Sequence, residues 1–154
     1  MREGIVRSQR NGGSLRILGL DYGEKRIGVA VCDELGFTAQ GLPTIIRKTK
    51  KHDLEILQNI INNYNIEKIV IGYPVRLDGS EGIQCEKVNR FSSILEKNYF
   101  LPVIKWPETL STKEAEEILI KSGMRWKKRK DKVDKLAACL ILQAYLNSIA
   151  SKQN

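Results

Sequence analysis

The hydrophobic period of this chain changes near residue 50, and that change decides which folds are open to it. Before it, apolar residues come in three short runs: Leu15 to Asp21, Ile27 to Cys32, and "FTAQGLPTII" at 37–46. The runs are divided by "YGEKR" and "DELG", so they read as strands in a meander, the first two forming a hairpin. Pro43 and Gly41 place the third strand at a sheet edge or a bulge.

After residue 50 strands and helices alternate. Leu54, Leu57, Ile60, Ile61 and Tyr64 fall at helical spacing, with Ile56 widening the stripe, and predict a helix over about 52–64. "KIVIGYP" at 68–74 is almost continuously apolar, as a buried parallel strand is. A helix of weaker pattern covers 83–98, and "LPVIKW" at 101–106 is a fifth strand. "STKEAEEILIKSG" reads as a helix with Ser111 as N-cap, Glu114 as its capping-box partner and Gly123 as its stop. "MRWKKRKDK" reads as a basic loop, and 133–149 as a last helix with Leu136, Ala137, Leu140, Ile141 and Ala144 on one stripe. The order βββ-α-β-α-β-α-α is that of an α/β protein, with parallel strands after residue 50 and helices on both faces of the sheet.

The 154 residues suit one domain, expected over 15–150, behind a polar, basic leader at 1–14. Cys32, Cys85 and Cys139 have no CxxC spacing and fall in or beside apolar segments, as reduced thiols of a cytoplasmic protein do. No run approaches the ~18 consecutive apolar residues of a membrane span, so no membrane partner is expected. Lys and Arg number 26 against 18 Asp and Glu, a formal charge of +8 that attracts polyanions. The single histidine, His52, stands where the first helix starts and leaves a Ser-His or Cys-His nucleophile without an obvious base. Proton chemistry would fall to carboxylates or a metal-activated water.

Three carboxylates stand at element ends. Asp21 closes strand one, Glu108 follows strand five in "KWPETLST", and Asp134 opens the last helix in "KDKVDKLAA". Each has an ordinary explanation: a turn acid, an acid near a helix N-terminus, and a first-turn acid behind an Asp131 cap. Their surroundings argue for more. Ala137 and Ala138 follow Asp134 at helical spacing and permit close approach, while Gly23 and Gly28 trim bulk around Asp21. Strand ends at one rim of an open α/β sheet are where ligands bind. Two carboxylates ~4 Å apart repel by about 4 kcal/mol at an effective dielectric of ~20, so convergence calls for protonation or a cation. Oxygen-only ligands suit Mg²⁺ or Mn²⁺, and a pair of such ions can clamp a phosphodiester.

"LGLDYGEKRIGVAV", "IVIGYPVRLDGSEG", "PETLST" and "KVDKLAACLILQAYL" together resemble, in order and spacing, the YqgF family of bacterial proteins over about residues 15–149. Its members are described as pre-16S rRNA nucleases or as Holliday junction resolvase-like proteins. The resemblance implies a ribonuclease H-like fold, with a five-stranded mixed sheet in which strand two is antiparallel to its neighbours. It also implies a metal-dependent site whose acids match Asp21, Glu108 and Asp134. One departure is that this chain has Pro107-Glu108-Thr109 where members commonly carry Asp-Glu-Arg.

Positive charge surrounds these acids in the sequence. Lys25 and Arg26 follow Asp21, Arg76 lies in the Gly-rich loop after strand four, and Arg125, Trp126, Lys127, Lys128, Arg129 and Lys130 precede Asp134. Such a set suits a nucleic-acid backbone, with Trp126 as a stacking ring. Asp78-Gly79 also reads as plain turn chemistry. The function expected is a metal-dependent nuclease processing the 5′ end of pre-16S rRNA, with the ribosome or its precursors as a further partner. A junction-resolving endonuclease on branched DNA would use the same chemistry. A nucleic-acid-binding assembly factor without catalysis is the reading from another class. "LGLDYG" also resembles a phosphate motif of actin-like ATPases, which need two domains where this chain offers one.

Overall fold

The computed structural model describes residues 15–76, 78–108, 117, 120, 121, 123 and 126–152. The leader at 1–14 and most of the helix expected at 111–123 lie outside the described residues.

Five strands, β1 (Arg16–Tyr22), β2 (Arg26–Cys32), β3 (Ala39–Ile46), β4 (Ile66–Pro74) and β5 (Val103–Glu108), form one sheet in the order β3-β2-β1-β4-β5. β2 is antiparallel to β1 and β3, while β1, β4 and β5 run parallel. This is the mixed sheet that the resemblance implies. β3 is an edge, as its Pro43 foretells, and its register with β2 shifts beside Gly28. β5 is the other edge, where Pro107 is tolerated because an edge residue can lack an N–H.

Strand alternation sends successive side chains to opposite faces. Leu18, Leu20, Val29, Val31, Ile69 and Ile71 join the core under α1 (Lys50–Asn63) and α2 (Ile83–Tyr99). Ile17, Ala30, Cys32, Val70 and Trp106 join the second core under α3 (Trp126–Lys152). Helices therefore cover both faces, and every central strand is buried on both sides.

Local signals explain the helix starts. Thr49 caps α1 by accepting from the His52 N–H at 3.1 Å. His52 Nδ1 lies 2.9 Å from Oδ1 of the buried Asp53, which also accepts from the Lys48 N–H. His52 is thus a helix-start residue. α2 ends at Phe100 in left-handed conformation, its N–H bonded to the Glu96 carbonyl.

α3 departs from the sequence expectation. It starts at Trp126, not near residue 133, so the expected basic loop is helical backbone from Trp126 onward. Lys and Arg are good helix formers, but a charge run carries no apolar period to reveal a helix. Farther along, Ala137, Ala138, Ile141, Leu142, Tyr145 and Leu146 pack on the sheet. Gln143 fastens the helix to β3 by accepting from the Ala39 N–H and donating to the Phe37 carbonyl. Lys132–Lys152 is long and apolar enough to cross a membrane by length and composition. Its sheet-facing stripe accounts for much of that apolar character.

Candidate active site at the strand rim

The parallel strands β1, β4 and β5 all end at one rim, where β2 begins. Asp21 is the next-to-last residue of β1 and Glu108 is the last of β5, so Glu108 lies within the strand and not beyond it. By alternation Asp21 shares its face with Ile17, and Glu108 shares its face with Trp106, both packed toward α3. Asp134 stands in the third turn of α3 instead of opening it. The helix that carries it covers this same face.

Two glycines flank Asp21. On one side Gly28 is its register partner in β2, and a Cβ added there would overlap the Asp134 carbonyl. On the other side β4 pairs with β1 up to Leu20–Ile71, so Gly72 comes next to Asp21. A Cβ on Gly72 would stand 3.0 Å from Glu108 Oε2 and 2.7 Å from Ile141 Cδ1. The Glu108 carboxylate therefore leans back over Gly72 toward β1. Helix backbone occupies the space left by one glycine, and a carboxylate the space left by the other. Gly28 was visible in the sequence as a trimmed position; Gly72 was not, because its neighbour Glu108 is 36 residues away.

Positive groups border the acids. Arg26 NH1 lies 3.9 Å from Asp134 Oδ2, with 28% and 23% of the two side chains exposed. Lys25 is exposed in the β1–β2 turn. Arg76 is exposed in the loop after β4, its guanidinium over Gly82 and 3.5 Å from Ser80 Oγ at the start of α2. Asp78 accepts from the Ser80 N–H at 2.8 Å, and hydrogen bonds from Ser80 hold its carboxyl below the usual range, as a turn acid's should be. Arg125 lies outside the described residues, as do the side chains of Trp126, Lys127, Lys128, Arg129 and Lys130.

Arg47 is a rim residue that sequence reasoning missed. It follows β3, donates from NH1 to the carbonyls of Gly23 and Glu24 at 2.8 Å each, and lies 4.5 Å from the Tyr22 ring. Its own N–H bonds the Lys25 carbonyl at 2.9 Å. The turn that follows Asp21 is thus held by a residue 26 positions downstream, with no local signal to announce it.

The carboxylate oxygens on this face are the donor type that Mg²⁺ and Mn²⁺ prefer. No group of three or more His, Cys, Asp or Glu residues able to hold a metal ion is formed among the described residues. Asp21, Glu108 and Asp134 are of the donor type a hard cation takes, but the structure does not gather the three into one such group; the arrangement is an acidic face, not a cage.

The sequence model of the family described as "RuvX: Holliday junction resolvase" matches residues 15–148. This chain belongs to the RuvX family. A relative from Syntrophus aciditrophicus (strain SB), named "Putative pre-16S rRNA nuclease", is 62% identical over 139 residues, which cover 90% of this chain and 93% of that protein. One of the same name from Halothermothrix orenii is 51% identical over 133 residues, covering 86% and 95%. Among solved structures, the fowlpox virus resolvase with Holliday junction DNA aligns at a TM-score of 0.51 and 16% identity over 88% of this chain and 99% of that one. That likeness shows the fold, the ribonuclease H-like one expected from the sequence. The RuvX chain described here is accordingly placed with nucleases, among hydrolases acting on ester bonds.

Proposed function

We propose that this RuvX protein hydrolyses phosphodiester bonds at the 5′ end of pre-16S rRNA, with Asp21, Glu108 and Asp134 as its catalytic acids. The observation that carries this is the sharing of one sheet face by three carboxylates from distant pieces of chain, with Gly28 and Gly72 on either side of Asp21. Asp21, Glu108 and Asp134 are the residues that would hold Mg²⁺ or Mn²⁺, as one ion or two. When bound, the cation supplies Lewis-acid activation of water and neutralises charge developing at phosphorus. Arg26, beside Asp134, and Lys25, in the turn, are placed to orient the strand through its phosphates. Arg76, exposed in the loop after β4, extends this positive border.

The high identity to relatives named for pre-16S rRNA supports RNA as the substrate. The family's description as a Holliday junction resolvase favours branched DNA as a second reading with the same residues. The deciding experiment compares cleavage of a pre-16S 5′-end RNA and a four-way DNA junction by the parent and by Asp21→Asn/Asp134→Asn. Cleavage of the RNA by the parent and its loss in the double variant are expected. A double variant that cuts at the parental rate overturns the assignment of the acids, and cleavage of the junction alone overturns RNA as the substrate.

A further inference from the structure

Asp21 and Tyr22 are consecutive, so they face opposite sides of the sheet. On the Tyr22 side, behind the acidic face, a groove of about 450 Å³ lies between the β1–β2 turn and α2. Its walls carry Arg47, Lys87 and Arg90 against one acid, Glu24, whose Oε1 is 3.9 Å from Lys87 Nζ. The Arg90 side chain is exposed and makes no hydrogen bond or ion pair with another described residue. Arg47 Nε in turn lies 3.8 Å from Oδ2 of the buried Asp53, so the positive charge of the groove left unspent on a neighbour is that of Arg90.

The floor is rigid. Phe91 stacks on Tyr22 with ring centroids 4.1 Å apart and planes 20° from parallel, and the Arg47 guanidinium lies 4.5 Å from the same ring. Gln84 donates to the Tyr22 carbonyl at 3.0 Å and fixes the strand end from below. With Phe91 and Arg47 both on the Tyr22 ring, little of it is left for a base to stack on. A groove of this size is within the range of small-ligand sites, on the scale of a few nucleotide units and not of a duplex groove. Its cations can contact phosphates, which carry no sequence information.

We propose that this groove is a phosphate-binding site for a single-stranded segment of the substrate, which crosses the rim over the β1–β2 turn after leaving the acidic face. Lys87 and Arg90 contact the backbone, and Arg47, spent on the turn, shapes the floor. The proposal rests on the nuclease reading for the identity of its ligand, and it is tested by binding alone.

The full-length protein is titrated, in EDTA so that no cleavage intervenes, with a fluorescein-labelled RNA hairpin bearing a 12-nucleotide single-stranded tail and with the same hairpin blunt-ended. The parent should bind the tailed RNA more tightly. In Lys87→Ala/Arg90→Ala the slope of log affinity against log salt should fall by about 1.4, two single-strand phosphate contacts, which is about 25-fold at 0.1 M salt. Affinity for the blunt hairpin should change little, and Lys87→Arg/Arg90→Lys should bind like the parent. A tail that adds no affinity, or a double alanine variant that keeps the parental preference and slope, overturns the proposal. Because the groove is tested by binding in EDTA and the nuclease reading by cleavage of the pre-16S RNA and the junction, failure of the one and failure of the other give different results.

Discussion

Gly28 lies directly against the backbone carbonyl of Asp134, so close that even a methyl group would overlap it. The position of one catalytic candidate is therefore set by the absence of a side chain on the register partner of another. Gly28→Ala should force α3 away from β2 and destabilise the fold by about 1–3 kcal/mol, as overpacking does. Urea denaturation should show a lower midpoint with an unchanged slope, and nuclease activity should drop more than the lost stability explains.

Removing one carboxylate should separate function from folding. Asp21→Asn and Glu108→Gln each should lower cleavage by about 100-fold or more, the scale on which metal sites respond to altered ligands and supports. Their melting temperatures should stay close to the parent's, because each amide keeps the shape of the acid it replaces. Activity assays beside calorimetry check this; a variant with lower stability and full activity contradicts the assignment.

Arg47 should matter although it belongs to no motif. Arg47→Ala removes two charge-assisted hydrogen bonds to the β1–β2 turn, a loss of about 1–2 kcal/mol for a partly exposed group. Lysine should not rescue it, since one ammonium cannot reproduce the planar guanidinium on the Tyr22 ring. Hydrogen exchange at Gly23, whose N–H bonds the Arg26 carbonyl at 2.8 Å, should quicken in both variants.

Burial pushes the Cys32 thiol above its ordinary value, while the Ile17 N–H donated to Sγ at 3.2 Å pulls the other way. The folded state thus holds its thiol proton to higher pH than the unfolded chain does. Cys32 should contribute stability that is complete below the unfolded value of about 8.5 and is lost as pH rises toward the raised folded value. Comparing urea midpoints of the parent and Cys32→Ala from pH 7 to pH 10 isolates this contribution. The parent should lose more stability over that range.

Much of the framework is legible in the chain because apolar period reports it directly. The hairpin around "YGEKR", the edge character of "FTAQGLPTII" and the buried strand at "KIVIGYP" all follow from patterns within ten residues. The start of α3 does not, since "WKKRKDK" suits a solvated helix as well as a loop and nothing apolar repeats within it. That one ambiguity moved Asp134 from a helix start to a helix interior. The acids stood out as carboxylates beside apolar runs, and the trimmed bulk at Gly28 and Ala138 hinted at a helix coming close. Gly72 under Glu108, Arg26 beside Asp134 and Arg47 under the turn arise from contacts between strands and between strand and helix, which one sequence read locally cannot show.

The alternation of Asp21 and Tyr22 ties chemistry to strand pairing with no slack. Were β1 to slip by a single residue against β4, the acid would enter the oily layer beneath α2 and the aromatic ring would turn toward α3. β1 is gripped on both flanks, by β2 and by β4, so misalignment would have to break two ladders at once. Insertions ahead of Leu15 should therefore be harmless, whereas one added residue inside Ile17–Leu20 should abolish catalysis and folding together.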